Sequence, residues 1–256
     1  MFDYWDEPVP TYFNSQTSAD FLDYYKDHLK EQIEEDEKRP SHKTFAPSSF
    51  RCDRISWFRL KGIAPDKNPV ADAGLDFTAK IGTACHINIQ KNLIKWMKDD
   101  WISVSEYLKK KNPPFKYNVD SDGIETQITI ENPPVRFACD GLLRWKDKYY
   151  LLEIKTSEYS SFQGLSAPKP QHIDQIKFYC TLLDLDNVLF LYQDRMYGDV
   201  KVFEQHVSEI DKQNVKDKIE RVMKYVDYNL CPPKLPEGDK WCTSSMCKYY
   251  NKCKQY

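Results

Sequence analysis

Phe21, Leu22, Tyr25, Leu29 and Ile33 recur at helical spacing and predict a helix over residues 15–38, acidic toward its end and stopped by Pro40. Ser48 or Ser49 is placed to cap a second helix, which runs through FRCDRISWFRL to Gly62. After the loop APDKNPVADAG, a long helix over roughly 75–99 sets His86, Ile89, Leu93 and Met97 on one face, so His86 points toward the core. A short helix over 101–111 ends in Lys109, Lys110 and Lys111, and Pro113–Pro114 separates it from an extended stretch.

The period then falls to two. ETQITIE at 125–131 alternates, and RFACDGLLRW followed by KYYLLEIKTS predicts a β-hairpin turning near Lys146–Lys148. YSSFQGLSAPKP is a loop of turn formers. A helix over 171–185, strands over 188–193 and 200–206 and a charged amphipathic helix over 208–229 follow. Residues 231–256 have no clear period but contain Cys231, Cys242, Cys247 and Cys253. Helices and strands in this order predict an α/β fold, a mixed sheet flanked by helices.

At 256 residues, 41% hydrophobic and 30% charged, the chain supports one substantial core with appendages. No run of eighteen apolar residues occurs, and MFDYWDEPVP lacks a basic region followed by an apolar stretch. The expectation is an intracellular protein without a membrane segment, in a prokaryotic cytoplasm or encoded by a phage. In a reducing compartment its eight cysteines serve packing, metal or redox chemistry more often than disulfides. The net charge of −2 gives no sign of a nucleic-acid partner, although a local basic strip and cations held by carboxylates offset an acidic balance. No P-loop, G-x-G-x-x-G or Ser-His-Asp arrangement is visible, which excludes an ATPase motor and a dinucleotide site.

The stretch from Asp140 to Lys155 carries the chemistry. Glu153 and Lys155 are two apart on a predicted strand and project to one face, while Ile154 projects to the other. A two-residue turn at Asp147–Lys148 places Asp140 opposite Lys155 on that same face. A three-residue loop reverses it, unless a bulge near Gly141 restores it. Two carboxylates and an ammonium on one face suit a hard divalent cation such as Mg²⁺ or Mn²⁺ and a bound water.

Asp140 followed after a hairpin by Glu153-Ile154-Lys155 resembles the D…(D/E)XK signature of the PD-(D/E)XK nucleases, a restriction-endonuclease-like fold. Gly82-x-x-x-His86 resembles the upstream motif of the RecB-like branch, and Gln175-Ile-Lys-Phe-Tyr179 its Q-x-x-x-Y helix. The resemblance implies that His86, Asp140, Glu153 and the Ile154 carbonyl hold the metal while Lys155 assists the attacking water. It further implies that Gln175 positions Lys155 or a phosphate and that Tyr179 contacts the DNA strand.

Cys242, Cys247 and Cys253 have the close spacing of metal ligands. In RecB-like nucleases with an iron–sulfur cluster, similar to the CRISPR-associated exonucleases, one cysteine precedes the nuclease motifs and three follow. Cys52 stands in that position. The resemblance therefore implies a [4Fe-4S] cluster on Cys52, Cys242, Cys247 and Cys253. The usual gap of two between the first two C-terminal cysteines is four here, which leaves Cys231 as an alternative to Cys242 and zinc as an alternative metal. The implied organisation is a helical region over 1–70 contributing to a cysteine-bound cap, a nuclease core over 71–207, and a C-terminal helix and cysteine region over 208–256.

Arg51, Arg54 and Lys169 are candidate phosphate contacts. Tyr159 and Phe162, in the loop after Lys155, either stack on unpaired bases or pin the loop to the core. The expected function is a metal-dependent exonuclease on single-stranded DNA ends, serving recombination, repair or replication, with a helicase or recombination protein as partner for any duplex opening. A non-catalytic DNA-binding subunit and a structure-specific endonuclease are the alternatives.

Overall fold

The computed structural model describes residues 16–37, 42–66, 73–121, 124–239, 241–244 and 246–256. The chain forms two units: a smaller one of Met1–Pro40 and Lys67–Thr83, and a larger one of Ser41–Asp66 and Ala84–Tyr256. The smaller contains helix α1 (Gln16–Glu37) and the first turns of α3 (Ala73–Met97), a helix that continues into the larger unit. No helix among the described residues is long and apolar enough to cross a membrane.

The larger unit is built on two sheets. β1 (Tyr117–Ser121), β2 (Thr126–Ile130) and β3 (Val135–Cys139) form an antiparallel meander. β4 (Gly141–Trp145), β5 (Lys148–Ser157), β6 (Asn187–Asp194) and β7 (Val200–His206) form a mixed sheet in that order, with β5 and β6 parallel and the outer pairs antiparallel. Parallel neighbours need a long crossover. Here α5 (Tyr159–Gln163) and α6 (Pro170–Leu183) supply it. The predicted hairpin strand RFACDGLLRW is thus divided at Asp140, its first half in one sheet and its second half in the other.

As a central strand, β5 is buried on both faces from Tyr150 to Ile154. Leu151, with Leu142, Val188 and Phe190, belongs to the main core, which includes Ile176, Phe178 and Leu183 of α6 and Val215, Ile219 and Val222 of α7 (Glu209–Asp227). Leu152 and Ile154, on the opposite face, pack with Leu143, Tyr150, Ile89, Leu93 and Met97. Helices therefore cover both faces of the mixed sheet, and the α/β architecture expected from the element order is observed. Ser208 and Asp211 close a capping box at the start of α7.

α2 (Asp53–Leu60) starts later than Ser48 or Ser49, the predicted caps. Pro47–Ser49 instead form a short 3₁₀ turn, which delivers Phe50 into the core. Cys52 thereby becomes the N-cap of α2. α4 (Val104–Lys111) likewise starts three residues after 101, where the Ser103 hydroxyl accepts the Glu106 N–H.

Candidate active site

The β4–β5 turn is two residues long, as the hairpin reading required, but lies at Lys146–Asp147, one position earlier. Both residues adopt positive φ, 48° and 62°, the conformation that suits a tight hairpin between twisted strands. Trp145 pairs with Lys148 and Gly141 with Leu152, so the continued register sets Asp140 beside Glu153 and not Lys155. Moving a two-residue turn by one position shifts the register by two, which preserves the face.

Asp140 stands between strands and is held from several directions. Its Oδ2 accepts the Ile154 N–H at 2.7 Å, taking the place of a ladder carbonyl where β4 has not yet begun. Its Oδ1 lies 3.3 Å from His86 Nδ1, and its backbone carbonyl accepts from Gln90 Nε2 at 2.7 Å. Trp101 presses so closely on Gly141 that a Cβ there would lie 2.4 Å from the indole. α3 thus packs on the Ile154 face through Ile89, Leu93 and Met97 while its His86 and Gln90 reach the end of the sheet where Asp140 sits.

Glu153 is 1% exposed, on the same face as Lys155. Lys155 Nζ lies 2.5 Å from Glu153 Oε1. Lys155 is the close partner of this oxygen in a buried ion pair, and its charge and hydrogen bond both favour the ionised carboxylate. Burial raises the Glu153 carboxyl above the usual carboxylate range, against the pull of Lys155 and with a further push from Asp140. Burial lowers the Lys155 ammonium, but Glu153 and Asp140 together outweigh it and hold the group above its ordinary value. Desolvating such a pair costs folding free energy, and removing either partner leaves an uncompensated buried charge.

α6 covers this face. Gln175 Nε2 donates to the Tyr179 hydroxyl at 2.6 Å, so in this structure its amide engages Tyr179 instead of Lys155. Tyr179 is buried and stacks on Phe137 with ring centroids 5.0 Å apart. Burial, then the charge of Glu153, pushes its phenol well above the ordinary range. One turn before Gln175, His172 Nδ1 lies 2.7 Å from the Tyr192 hydroxyl, which also accepts the Lys169 N–H at 3.2 Å. Tyr192 pairs with Lys155 across β5 and β6. Sequence reasoning did not single out Gln90, His172 or Tyr192. The signal was helical spacing: Gln90 follows His86 by four, and His172, Gln175 and Tyr179 follow i, i+3, i+7.

The expected phosphate contacts divide. Lys169 is half-buried at the start of α6, close enough to His172 to lower its imidazole. Arg51 lies over the Trp241 ring, 4.7 Å from the centroid, and 3.8 Å from Asp239. Arg54 is a correction: it is 6% exposed, and its guanidinium is engaged by the carbonyls of Pro232, Cys253 and Tyr256 and by Cys253 Sγ. It ties α2 to the C-terminal segment, an attachment that hydropathy at position 54 cannot reveal.

Cys52 enters the same region. The Cys247 thiol feels the charges of Cys52, Cys242 and Cys253, and the Cys231 thiol those of Cys253 and Cys52, and none of the five is in a disulfide. Burial is the main cause that raises Cys52, Cys231 and Cys247. Among the described residues no group of three or more His, Cys, Asp and Glu side chains is arranged to hold a metal ion, here or around Asp140 and Glu153. Cys139 and Cys180 are fully buried core residues. A cavity of about 670 Å³ among Leu108, Phe115, Leu182, Ile219 and Met223 includes none of His86, Asp140, Glu153 or Lys155 in its lining.

No family model and no curated protein matches the chain. Among solved structures, one described as SSO0001 is similar at a TM-score of 0.44 and 16% identity, over 86% of this chain and 98% of that one. An alkaline exonuclease, LHK-Exo, from Laribacter hongkongensis is similar at 0.43 and 13% identity, over 76% and 93%. The same exonuclease in complex with dAMP is similar at 0.36 and 14%, over 67% and 75%.

Proposed function

We propose that the chain is a metal-dependent nuclease of the PD-(D/E)XK type, acting as an exonuclease on single-stranded DNA ends. One observation carries the reading: Asp140, Glu153 and Lys155 meet on one sheet face, with Glu153 buried against the Lys155 ammonium, while His86 contacts Asp140. By donor chemistry the carboxylates suit Mg²⁺ or Mn²⁺, and binding would require the Asp140 oxygens to turn from the Ile154 N–H and His86. Asp140, Glu153, His86 and the Ile154 carbonyl are the residues to hold the cation. When bound, such a cation makes water nucleophilic near neutral pH and offsets charge on the phosphate.

The chain's own groups do the rest. Lys155 presents its ammonium beside the carboxylates, where it orients the attacking water or stabilises charge on the phosphate in the transition state. Hydrolysis forms a bond from the water oxygen to phosphorus and breaks the bond to the leaving 3′ oxygen, which gives 5′-phosphate and 3′-hydroxyl ends. His86 and Gln90 fix Asp140, and Gln175 with Tyr179 forms the wall of the site on the α6 side. The cysteine spacing favours a RecB-like architecture with a [4Fe-4S] cluster on Cys52, Cys242, Cys247 and Cys253, although among the described residues these side chains are not in ligating positions. The cluster's role is structural, and Cys231 and zinc are the alternative ligand and metal.

The test is digestion of end-labelled linear and circular single-stranded DNA by anaerobically purified protein with Mg²⁺, Mn²⁺ or EDTA. Metal-dependent loss of the linear substrate alone supports the reading, and the label gives the polarity. Cutting of the circle makes the protein an endonuclease, and inertness with every metal makes it a DNA-binding subunit.

A further inference from the structure

Tyr159 and Phe162, three residues apart in α5 where the sequence predicted a loop, have opposite fates. Phe162 is buried in the core beneath the Lys201 ammonium, which also donates to the carbonyls of Phe162, Gln163 and Leu165. That anchors α5. Tyr159, at the start of the same helix, is 41% exposed and meets Tyr197 edge to face, with ring centroids 4.9 Å apart and an interplanar angle of 78°. Tyr197 is 64% exposed. An exposed aromatic pair costs solvation and has no core to build.

The pair is held in place by buried groups. Tyr197 lies in the β6–β7 turn, where its N–H donates to Asp194 Oδ2 at 2.7 Å and Gly198 N–H reaches the Asp194 carbonyl at 3.2 Å. Asp194 is buried and pairs with Ser157 across β6 and β5, two positions beyond the Tyr192–Lys155 pair. The Arg195 N–H donates to the Ser157 carbonyl, which ties the turn to the end of the strand that carries Glu153 and Lys155. Tyr159 is four residues past Lys155, so its Cα lies within about 14 Å of that of Lys155 even along a fully extended chain.

We propose that Tyr159 and Tyr197 form a stacking platform for an unpaired DNA base next to the scissile phosphate. In an edge-to-face pair one ring keeps an open face, and every base presents a π-face to it irrespective of sequence. Bases within a duplex have no free face, so the platform selects single strands. Arg195, next to Met196 and Tyr197 in the turn, brings a guanidinium to the same edge, 3.8 Å from Glu158. The inference rests on the nuclease reading for its choice of ligand.

The test is fluorescence anisotropy with the full-length chain, in Ca²⁺ and in EDTA. The probes are a labelled oligothymidylate, the same strand annealed to its complement, and a strand of abasic residues. Tyr159→Ala and Tyr197→Ala each weaken oligothymidylate binding about 5- to 150-fold, the equivalent of about 1–3 kcal/mol per stacked base. Tyr159→Phe and Tyr197→Phe retain it, and the abasic strand binds all variants alike. Unchanged affinity in both alanine variants, an equal loss on the abasic strand, or a wild type that prefers duplex or binds no single strand overturns the platform. Tyrosine-dependent binding without metal-dependent cleavage would remove the enzyme and keep the platform. Cleavage that needs Glu153 but ignores both tyrosines would do the reverse.

Discussion

Substituting Gly141→Ala tests how Asp140 is positioned. The added Cβ would lie 2.4, 2.9 and 3.1 Å from three atoms of the Trp101 ring. Ordinary carbon contacts are about 3.5–4.0 Å, so the indole or the start of β4 must retreat by roughly 1–1.5 Å. Overpacking of this kind costs about 1–3 kcal/mol. The loss of unfolded-state freedom on replacing glycine returns about 0.4–1 kcal/mol. A net destabilisation of about 1–2 kcal/mol is expected. In urea, with a slope near 2 kcal/mol per molar, the midpoint falls by roughly 0.5–1 M. Trp101→Phe removes the outer ring atoms, and in that background Gly141→Ala should cost almost nothing, a coupling of about 1 kcal/mol or more. Because Asp140 is the preceding residue, the proposed nuclease activity should fall with stability in the single variant and return in the double one. Equal midpoints for the wild type and Gly141→Ala, or an equal cost in both backgrounds, would refute the packing argument.

Arg54→Met removes the charged donors that bind the Pro232, Cys253 and Tyr256 carbonyls; a loss of about 2–4 kcal/mol and faster proteolysis near the C-terminus are expected, and an unchanged digestion pattern would contradict the anchoring role. Burial, then the charges of Lys155 and Lys169, lowers the His172 imidazole to about 3. A depressed histidine adds stability above its unfolded value, near 6.5, and loses it as pH falls toward the folded value. The raised Glu153 carboxyl works in the opposite direction over the same window, so the His172 contribution is read as a difference: between pH 7.5 and pH 5 the wild type should lose the equivalent of about 1–2 kcal/mol relative to His172→Gln, discounted for partial exposure; an equal slope in both proteins would sink it. On the proposed cluster, Cys52→Ala and Cys253→Ala should each lower stability and the iron content measured by absorbance and metal analysis; a wild type without iron, or full iron content in both variants, would show that these thiols are not iron ligands.

The legible part of the site was its parity. Alternation along KYYLLEIKTS puts Glu153 and Lys155 on one face irrespective of where the turn falls, and any two-residue turn keeps Asp140 with them. The register depended on Lys146 and Asp147 accepting positive φ, a choice that their side chains do not announce. The strand break at Asp140 was hidden because RFACDGLLRW keeps strand-like composition through it, while the carboxylate replaces a ladder acceptor only in three dimensions. Helix faces were legible for His86 but not for His172, whose partner Tyr192 is a strand residue twenty positions away. Arg54 looked like a surface cation because its acceptors are carbonyls at the far end of the chain. The cysteine spacing resembles that of metal ligands, but among the described residues these thiols are not arranged around a metal ion.

If Asp140 and Glu153 together hold a divalent cation, Mn²⁺ binding to the full-length protein, followed by electron paramagnetic resonance, differs between the wild type and Glu153→Gln or Asp140→Asn. Saturable binding by the wild type is expected, with an affinity reduced at least about 10-fold in each variant, the lower range for loss of a group that fixes a metal, and with the urea midpoint of Glu153→Gln maintained. Equal Mn²⁺ affinity in all three proteins would contradict a shared cation site.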